Sequence, residues 1–346
     1  MNKCEKIYIE LKKRLDEGIY PAGTRFPSES TLADEFAVNK MTMNKVVTML
    51  VNSGFLQRGI RGAGTRVTTP ALRMRGAIAF LSPLTEYAVR ILHGVYAECA
   101  RSNFAVIVES PSIEDLSDRM QLLRSSNIAG VVSATYGVPL LPENMNLACV
   151  DSAPRPVVPG QKVHFINSCN FQGGEQIMQE ILRRGHREIL VYSIERFNHR
   201  PDAPKTPRVC GFHEAMQKAN ILDTEERTFY GAQNSLEDAK HFLRTYLQHY
   251  PNTTLIACDS DPAAELIHTA ALQLNLDCPG SIALTGFGNV TKLPIGTVNQ
   301  NPRRQGELAA RFLIDAALHG TPFTTGHTEV ETTLANVEYI PINLPR

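Results

Sequence analysis

The chain has no excess of charge of either sign: its 346 residues hold 35 Lys and Arg against 35 Asp and Glu. A field of one sign over the whole surface is excluded, so affinity for a polyanion has to come from a local patch. No apolar run approaches the roughly 20 residues that a membrane-spanning helix requires. The seven cysteines, Cys4, Cys99, Cys149, Cys169, Cys210, Cys258 and Cys278, contain no C-x-x-C pair. Their odd count, their scatter and the lack of a secretory leader pattern lead to an expectation of reduced thiols in a cytoplasm. H-E-x-x-H, G-x-S-x-G and G-x-x-x-x-G-K-(S/T) are all missing and the histidines are dispersed. No catalytic site, metal or cofactor is therefore expected. Asp259 and Asp261 stand close together, but at a helix start, where they resemble capping chemistry more than an acid–base pair. Nothing repeats at a short solenoid period.

The balanced charge is unevenly spread. Residues 1–70 hold 11 Lys and Arg against 7 Asp and Glu, leaving 24 and 28 in the remainder. A basic head on a mildly acidic body fits a DNA-binding module joined to a part that does not touch DNA. Within the head, Thr24–Val67 reads as two short helices, a tight turn between them and a hairpin. Ser28 is a favoured N-cap with Glu29 in the first turn, and Leu32, Ala33 and Phe36 form an apolar stripe. Asn39 caps the second helix, in which Met43, Val46, Val47 and Leu50 fall at i, i+3, i+4 and i+7. Its other face carries Lys40, Thr42, Asn44, Lys45 and Thr48, groups that bind phosphates and base edges. Gly54 stops the helix, and Phe55–Arg58 and Thr65–Val67 read as strands around a glycine turn, a hairpin that carries Arg58, Arg61 and Arg66. No helix follows Gly64, so the glycines make a turn and not a nucleotide-phosphate loop. Residues 3–17 read as an amphipathic helix that completes the head.

These residues resemble the winged helix-turn-helix of the GntR family. Leu15, Gly18, Pro21, Gly23, Phe26, Pro27, Ser28, Glu29, Leu32, Ala33, Val38, Thr42, Leu50, Gly54, Gly62, Gly64 and Thr65 match its pattern in order, over about the first fifth of the chain. Asn39-Lys40 stands where members often carry Ser-Arg, and Asn44 where many carry a second arginine. Lysine lacks the bidentate fork of arginine. The resemblance implies double-stranded DNA as a partner, bound through Ser28, Glu29, Ser30, Asn39, Lys40, Thr42, Asn44, Lys45, Arg61, Gly62 and Gly64. The helix of about residues 40–52 would enter the major groove. Ser28, the backbone of Glu29 and the wing glycines would address the DNA backbone or minor groove.

A linker at residues 70–76, with a proline, Arg73 and Arg75, separates this head (1–69) from the body (77–340). In the body, short apolar runs at Ala77–Leu81, Phe104–Val108, Gly130–Ser133 and Ala148–Asp151 suit strands buried on both faces. They alternate with helical patterns at 86–102 and 114–126. The alternation then repeats, with helices at 171–185, 207–220, 235–249, 261–275 and 303–319. Strands are expected at Ile189–Tyr192, Thr228–Tyr230, Leu255–Cys258 and Ile282–Thr285. Two successive β/α halves predict an α/β body of two doubly wound parallel lobes, with a cleft at the carboxyl ends of the strands.

The body resembles the LacI/GalR-type effector domain, of the periplasmic-binding-protein fold, from residue 77 to about 335. The resemblance rests on Val150-Asp151, on Asn167 with Gly173-Gly174, on Ile181–Ile189 with its Gly185-His186, and on Arg208 ahead of Gly211-Phe212. Ile256–Asp259, Thr285–Asn289 and Thr297–Gln300 extend it. It implies one lobe of about 77–164 and 299–325 and another of about 165–298 and 326–340. Tyr87, Asp151, Arg208, Asp259, Phe287, Asn289 and Gln300 are the implied effector-binding residues. Asp151 and Arg208 suit either ligand contact or an ion pair, Asp259 either ligand contact or a helix cap, and Tyr87 and Phe287 either stacking faces or core. Cys258 and Gly288 depart from the asparagine and aspartate of sugar-binding members, which weakens the case for a sugar. The expected function is nevertheless that of a sequence-specific regulator, a repressor whose operator affinity is set by a small molecule such as a sugar. It would act as a homodimer on a pseudo-palindromic operator. The alternative is a ligand-blind DNA-binding protein with a degenerate body or, more remotely, a small-molecule enzyme.

Overall fold

The computed structural model describes residues 3–343 apart from 60–63, 70–74, 113, 126–127, 135–144, 153, 155, 195–205 and 232–234. In the head, α1 (Lys3–Asp16), α2 (Glu29–Glu35) and α3 (Lys40–Asn52) are followed by β1 (Leu56–Arg58) and β2 (Thr65–Val67). The apolar stripes converge: Ile7, Leu11, Leu15, Leu32, Met43, Val46, Val47 and Leu50 close one core with Phe26, Phe55 and Val67. The turn between α2 and α3 places Ala37 in the left-handed region, at φ 49°, with the Val38 N–H bonded back to Ala33 O at 3.0 Å. β1 and β2 pair antiparallel with Leu56 opposite Val67. Both of those face the core, while Gln57 and Arg66 point out, as the two-residue period of a strand requires.

The body begins with β3 (Gly76–Leu81), α4 (Glu86–Arg101), β4 (Phe104–Glu109), α5 (Leu116–Ser125), β5 (Ile128–Ala134), β6 (Asn146–Val150) and β7 (Lys162–Ser168). It continues through α6 (Asn170–Arg183), β8 (Ile189–Ser193), α7 (Pro207–Lys218), β9 (Thr228–Tyr230), α8 (Leu236–His249), β10 (Leu255–Cys258), α9 (Asp261–Gln273) and β11 (Ala283–Thr285). β12 (Thr297–Asn299), α10 (Pro302–His319), β13 (Gly326–Val330) and β14 (Thr333–Ala335) complete it. One parallel sheet runs β13-β7-β6-β5-β3-β4 and a second runs β11-β10-β8-β9, while β12 and β14 form an antiparallel pair. Alternate residues of the first sheet bury against opposite layers. Ile78, Phe80, Val132 and Val150 pack with α4 and α10, and Ala79, Leu81, Val131 and Cys149 pack with Met120 and Leu123 of α5. The second sheet does the same with α6 and α7 on one face and α8 and α9 on the other.

The strand pairing departs from the expected lobe limits. Lys162–Ser168 and Gly326–Val330 pair with each other in the first sheet, so residues 165–168 and 326–330 belong there and not to the second lobe. β13 shows no apolar run because it is an edge strand with only Val330 buried. β7, β12, β13 and β14 all escape a search for continuous apolar stretches. Three crossovers join the lobes and are laced together. The Cys169 N–H donates to Val330 O at 2.9 Å, Ser168 Oγ to Gln300 O at 3.0 Å, and Asn301 Nδ2 to Glu331 O at 2.6 Å.

Each lobe holds one helix pair at backbone contact through reciprocal glycines. Gly94 of α4 and Gly306 of α10 face each other's backbone, where a Cβ would stand 2.9 Å from the Glu307 nitrogen and 3.0 Å from the Val95 nitrogen. Gly174 of α6 and Gly211 of α7 repeat this, with a Cβ on Gly174 3.1 Å from the Arg208 carbonyl carbon and one on Gly211 2.7 Å from the Glu175 nitrogen. The second pair fixes the start of α7, and with it Arg208.

Candidate functional site

The exposed face of α3 presents Lys40 and Lys45, neither of them ion-paired among the described residues, beside Met41, which is 71% exposed. Two of the expected DNA-binding residues hold helix starts. Asn39 Oδ1 accepts the Thr42 N–H at 2.7 Å, and Ser28 Oγ accepts the Thr31 N–H at 3.1 Å. Ser30 is exposed in the first turn of α2. The Glu29 carboxylate faces α3: Asn44 Nδ2 donates to its two oxygens at 2.9 and 3.0 Å. Arg58 of β1 donates to the same carboxylate at 3.4 Å and to Thr48 Oγ1 at 3.0 Å. Glu29 is thus engaged through its side chain, a role its N-terminal position on α2 does not announce. Gly64 has φ 74°, a conformation that favours glycine, and a Cβ there would lie 2.7 Å from Nε at the far end of the Arg25 side chain. Arg61 and Gly62 lie outside the described residues. Met41 and Arg25 went unnoticed in the sequence, the first because an exposed methionine in an amphipathic helix carries no motif.

In the body the cleft-side residues sit at the carboxyl ends of the strands, as expected for a doubly wound sheet. Asp151 follows β6 at φ 54°, its N–H donating to Ile166 O at 3.0 Å. Arg208 stands in the first turn of α7, whose cap Thr206 accepts the Val209 N–H. A continuous polar chain joins the lobes. Gln305 Nε2 lies 3.1 Å from the Tyr87 hydroxyl, 2.9 Å from Ser168 Oγ and 2.8 Å from Gln300 O. A carbonyl only accepts, so the amide nitrogen has to face Gln300 O, and Gln305 Oε1 is left buried without a partner among the described residues. Gln300 Nε2 and Arg208 Nε both donate to Asn170 Oδ1 at 3.2 Å. Arg208 Nη1 reaches Asp259 O at 3.0 Å, and its guanidinium lies 4.5 Å from the Phe287 ring centroid, a cation–π distance. The Tyr87 hydroxyl has its pKa pushed well up, first by burial and then by the charge of Asp151, against the opposing charge of Arg208. Tyr87, Asp151, Arg208 and Gln300 are thereby brought to one place.

Three of the expected effector residues have partners within the second lobe itself. Asp259 is no helix cap: Ser260 Oγ accepts the Ala263 N–H at 3.3 Å, while the Asp259 carboxylate takes the hydroxyls of Ser193 and Ser260. Phe287 is 1% exposed and packs in the second lobe's core, so its ring backs Arg208 and offers no open stacking face. Asn289 donates its N–H to Thr297 Oγ1 at 3.2 Å and lines a cavity of about 430 Å³ with Arg90, His93, Asn299 and Asn301. Ser168, Asn170 and Gln305 are new members of the site. Their partners lie far away along the chain, so no local pattern points to them. His186 is bound on both sides, Nδ1 to Thr254 Oγ1 at 2.8 Å and Nε2 to Pro341 O at 3.0 Å. Among the described residues no group of three or more His, Cys, Asp or Glu could hold a metal ion, and no helix is long and apolar enough to cross a membrane.

A winged helix-turn-helix on a two-lobed, cleft-bearing α/β body defines a one-chain transcriptional regulator, with DNA-binding and small-molecule-binding parts in series. Residues 3–67 match the bacterial regulatory proteins of the gntR family, and residues 178–336 match the periplasmic binding protein-like domain. The chain thus joins a stretch of gntR type, in a DNA-binding regulator, to a periplasmic-binding-protein-like stretch, and the relatives it matches are transcriptional regulators, not enzymes. It is similar to the arabinose metabolism transcriptional repressor of Geobacillus stearothermophilus, 22% identical over 335 residues, which cover 89% of this chain and 90% of that one. The transcriptional regulator GmuR of Bacillus subtilis is 38% identical over 73 residues, 21% of this chain and 30% of its own. Among solved structures, the transcriptional regulator CelR–cellobiose complex superposes with a TM-score of 0.59 at 17% identity, over 90% of this chain and 98% of that chain.

Proposed function

We propose that the protein is a cytoplasmic repressor whose operator affinity is set by a sugar held between the two lobes. The observation that carries this is the hydrogen-bonded chain from Tyr87 through Gln305, Ser168, Gln300 and Asn170 to Arg208. It ties a cleft residue of each lobe to the crossovers about which the lobes would turn. Asp151 and Tyr87 on one lobe and Arg208 on the other supply an acceptor, a hydroxyl and a donor fork for a polyhydroxyl ligand. Relatives that are named for arabinose metabolism or seen with cellobiose support the sugar class. Residues 1–69 form the DNA-binding head, 70–76 the linker and 77–340 the effector and dimerisation domain. Lys40, Thr42, Asn44 and Lys45 address the major groove, and Ser28, Glu29, Ser30, Asn39, Arg61, Gly62 and Gly64 support or flank that contact. A homodimer places two heads on successive half-sites. Coupling between cleft and head is typically worth about 1–3 kcal/mol.

A thermal-shift screen of pentoses, hexoses, disaccharides and sugar phosphates tests the effector class. A ligand at 100 times its dissociation constant adds about 2.7 kcal/mol to the folded state. The stabilising sugar is then titrated against operator binding by the wild type and by Arg208→Ala. The variant is expected to bind operator while ignoring the sugar. Silence of every carbohydrate would refute the sugar reading, and loss of operator binding in the variant would mark Arg208 as structural.

A further inference from the structure

The DNA-facing side of α3 holds a hydrogen-bond arrangement that bears on which base it reads, and the inference rests on the DNA-binding reading above. A carboxylate can only accept, so the two short contacts to Glu29 fix Asn44 with its nitrogen toward Glu29 and settle which end of the amide is which. Glu29 is itself held by Arg58, which also binds Thr48 one turn further along α3. Glu29, Asn44, Thr48 and Arg58 are partly buried or exposed on one side of the head. Asn44 is therefore set before any DNA arrives.

We propose that Asn44 is a specificity-determining residue that turns its carbonyl oxygen, rather than its nitrogen, to the major groove. The usual pairing of asparagine with adenine needs both ends of the amide, the oxygen accepting from N6 and the nitrogen donating to N7. With the nitrogen held toward Glu29, the carbonyl oxygen is the end of the amide turned away from that contact and left to meet a base. The remaining acceptor suits a base with an exocyclic amine in the major groove, cytosine through N4 or adenine through N6. Guanine offers acceptors there and thymine an acceptor and a methyl group, so both are disfavoured at this position. An arginine at position 44 would do the reverse, since its fork matches O6 and N7 of guanine.

The test is selection of binding sites from randomised duplex DNA by the full-length protein, in parallel with Asn44→Ala and Asn44→Arg. The wild type is expected to prefer cytosine or adenine at one position of each half-site. Asn44→Ala should lose that preference alone, and Asn44→Arg should convert it to guanine. A purine nucleotide without the N6 amine, or a pyrimidine without N4, placed there should weaken wild-type binding by about fivefold, the low end for one base contact. It should leave Asn44→Ala unaffected. A wild-type preference for guanine or thymine at that position overturns the proposal. So does an Asn44→Ala variant with every preference intact. A wild type that enriches no sequence overturns the DNA-binding reading itself, a result distinct from either.

Discussion

Gly174→Ala measures how closely the effector-facing end of α7 depends on helix contact. In isolation the change favours the folded state, because alanine in a helix interior is preferred over glycine by about 0.5–1 kcal/mol. Against that, the new methyl would overlap the Arg208 carbonyl oxygen and stand 3.1 Å from its carbon and 3.2 Å from its Cα. These are backbone atoms and cannot swing aside, so α6 and α7 have to part. Overpacking of this kind costs about 1–3 kcal/mol. Arg208 bonds to Asn170 and Asp259 at 3.2 and 3.0 Å, close enough to the limit that a shift of a few tenths of an ångström weakens both. Hydrogen bonds to a charged group contribute about 1.5–3 kcal/mol each. The net effect is a destabilisation of about 2 kcal/mol. In guanidinium unfolding it appears as a lower midpoint at constant slope, with a melting temperature about 4–8 °C lower for a body of this size. Effector affinity should fall with it, while operator affinity of the folded fraction holds. A variant as stable as the wild type, with its effector response intact, would mean that the helices have slack and that Arg208 is not held by this contact.

Lys45→Ala should lower operator affinity for all sequences and reduce the slope of log K against log salt by about 0.9, one phosphate's share; an unchanged slope removes Lys45 from the backbone contacts. Gln305→Leu should leave stability within about 1 kcal/mol, because relief of the orphaned Oε1 offsets the lost bonds. It should nevertheless uncouple effector from operator binding, and retained coupling in a paired titration would discount the chain of hydrogen bonds as the link. Burial lowers the His186 pKa below its ordinary 6.5, so folding favours the neutral ring. That contribution is full above about pH 6.5 and is lost as pH falls through the depressed folded value. Urea unfolding at pH 7.5 and 5.5 should therefore show a steeper loss for the wild type than for His186→Gln, and equal losses would place the acid sensitivity elsewhere.

Legibility followed the range of the interactions. Caps such as Ser28 and Asn39 act over three residues, and the core stripe of α3 over seven, so both stand in the sequence as they stand in the fold. β3 and β5 are buried on both faces and read as apolar runs. β13 pairs on one side only and keeps His327 and Glu329 outward, so nothing in its composition marks it as part of the first sheet. The site divides the same way. Arg208 stands out because a motif surrounds it. Gln305 meets Tyr87 and Ser168, and Asn170 meets Gln300, across more than a hundred residues of chain. Phe287 could be core or cleft until the packing of α6 and β12 placed it inside. Asp259 resembled a cap because it precedes a helix, yet the next residue, Ser260, does that work.

Gly288, the departure that weakened the sugar reading, has a structural reason in Asp261. Its φ of 132° is one that side chains rarely adopt, and the turn around it wraps the Asp261 carboxylate. Oδ2 accepts the N–H groups of Val290 and Thr291 at 2.6 and 3.1 Å. Oδ1 accepts the Thr297 hydroxyl at 2.7 Å, and the Asp261 N–H returns a bond to Phe287 O at 2.8 Å. The Asp261 carboxylate is turned inward, binding three donors and fixing the loop beside β12. The Asp259 carboxylate is likewise occupied by two serine hydroxyls. On the proposed sugar reading, Asp151, on the lobe opposite Arg208, is then the acid placed to recognise ligand hydroxyls. The two opposite charges stand on opposite lobes, and the Tyr87 hydroxyl feels both.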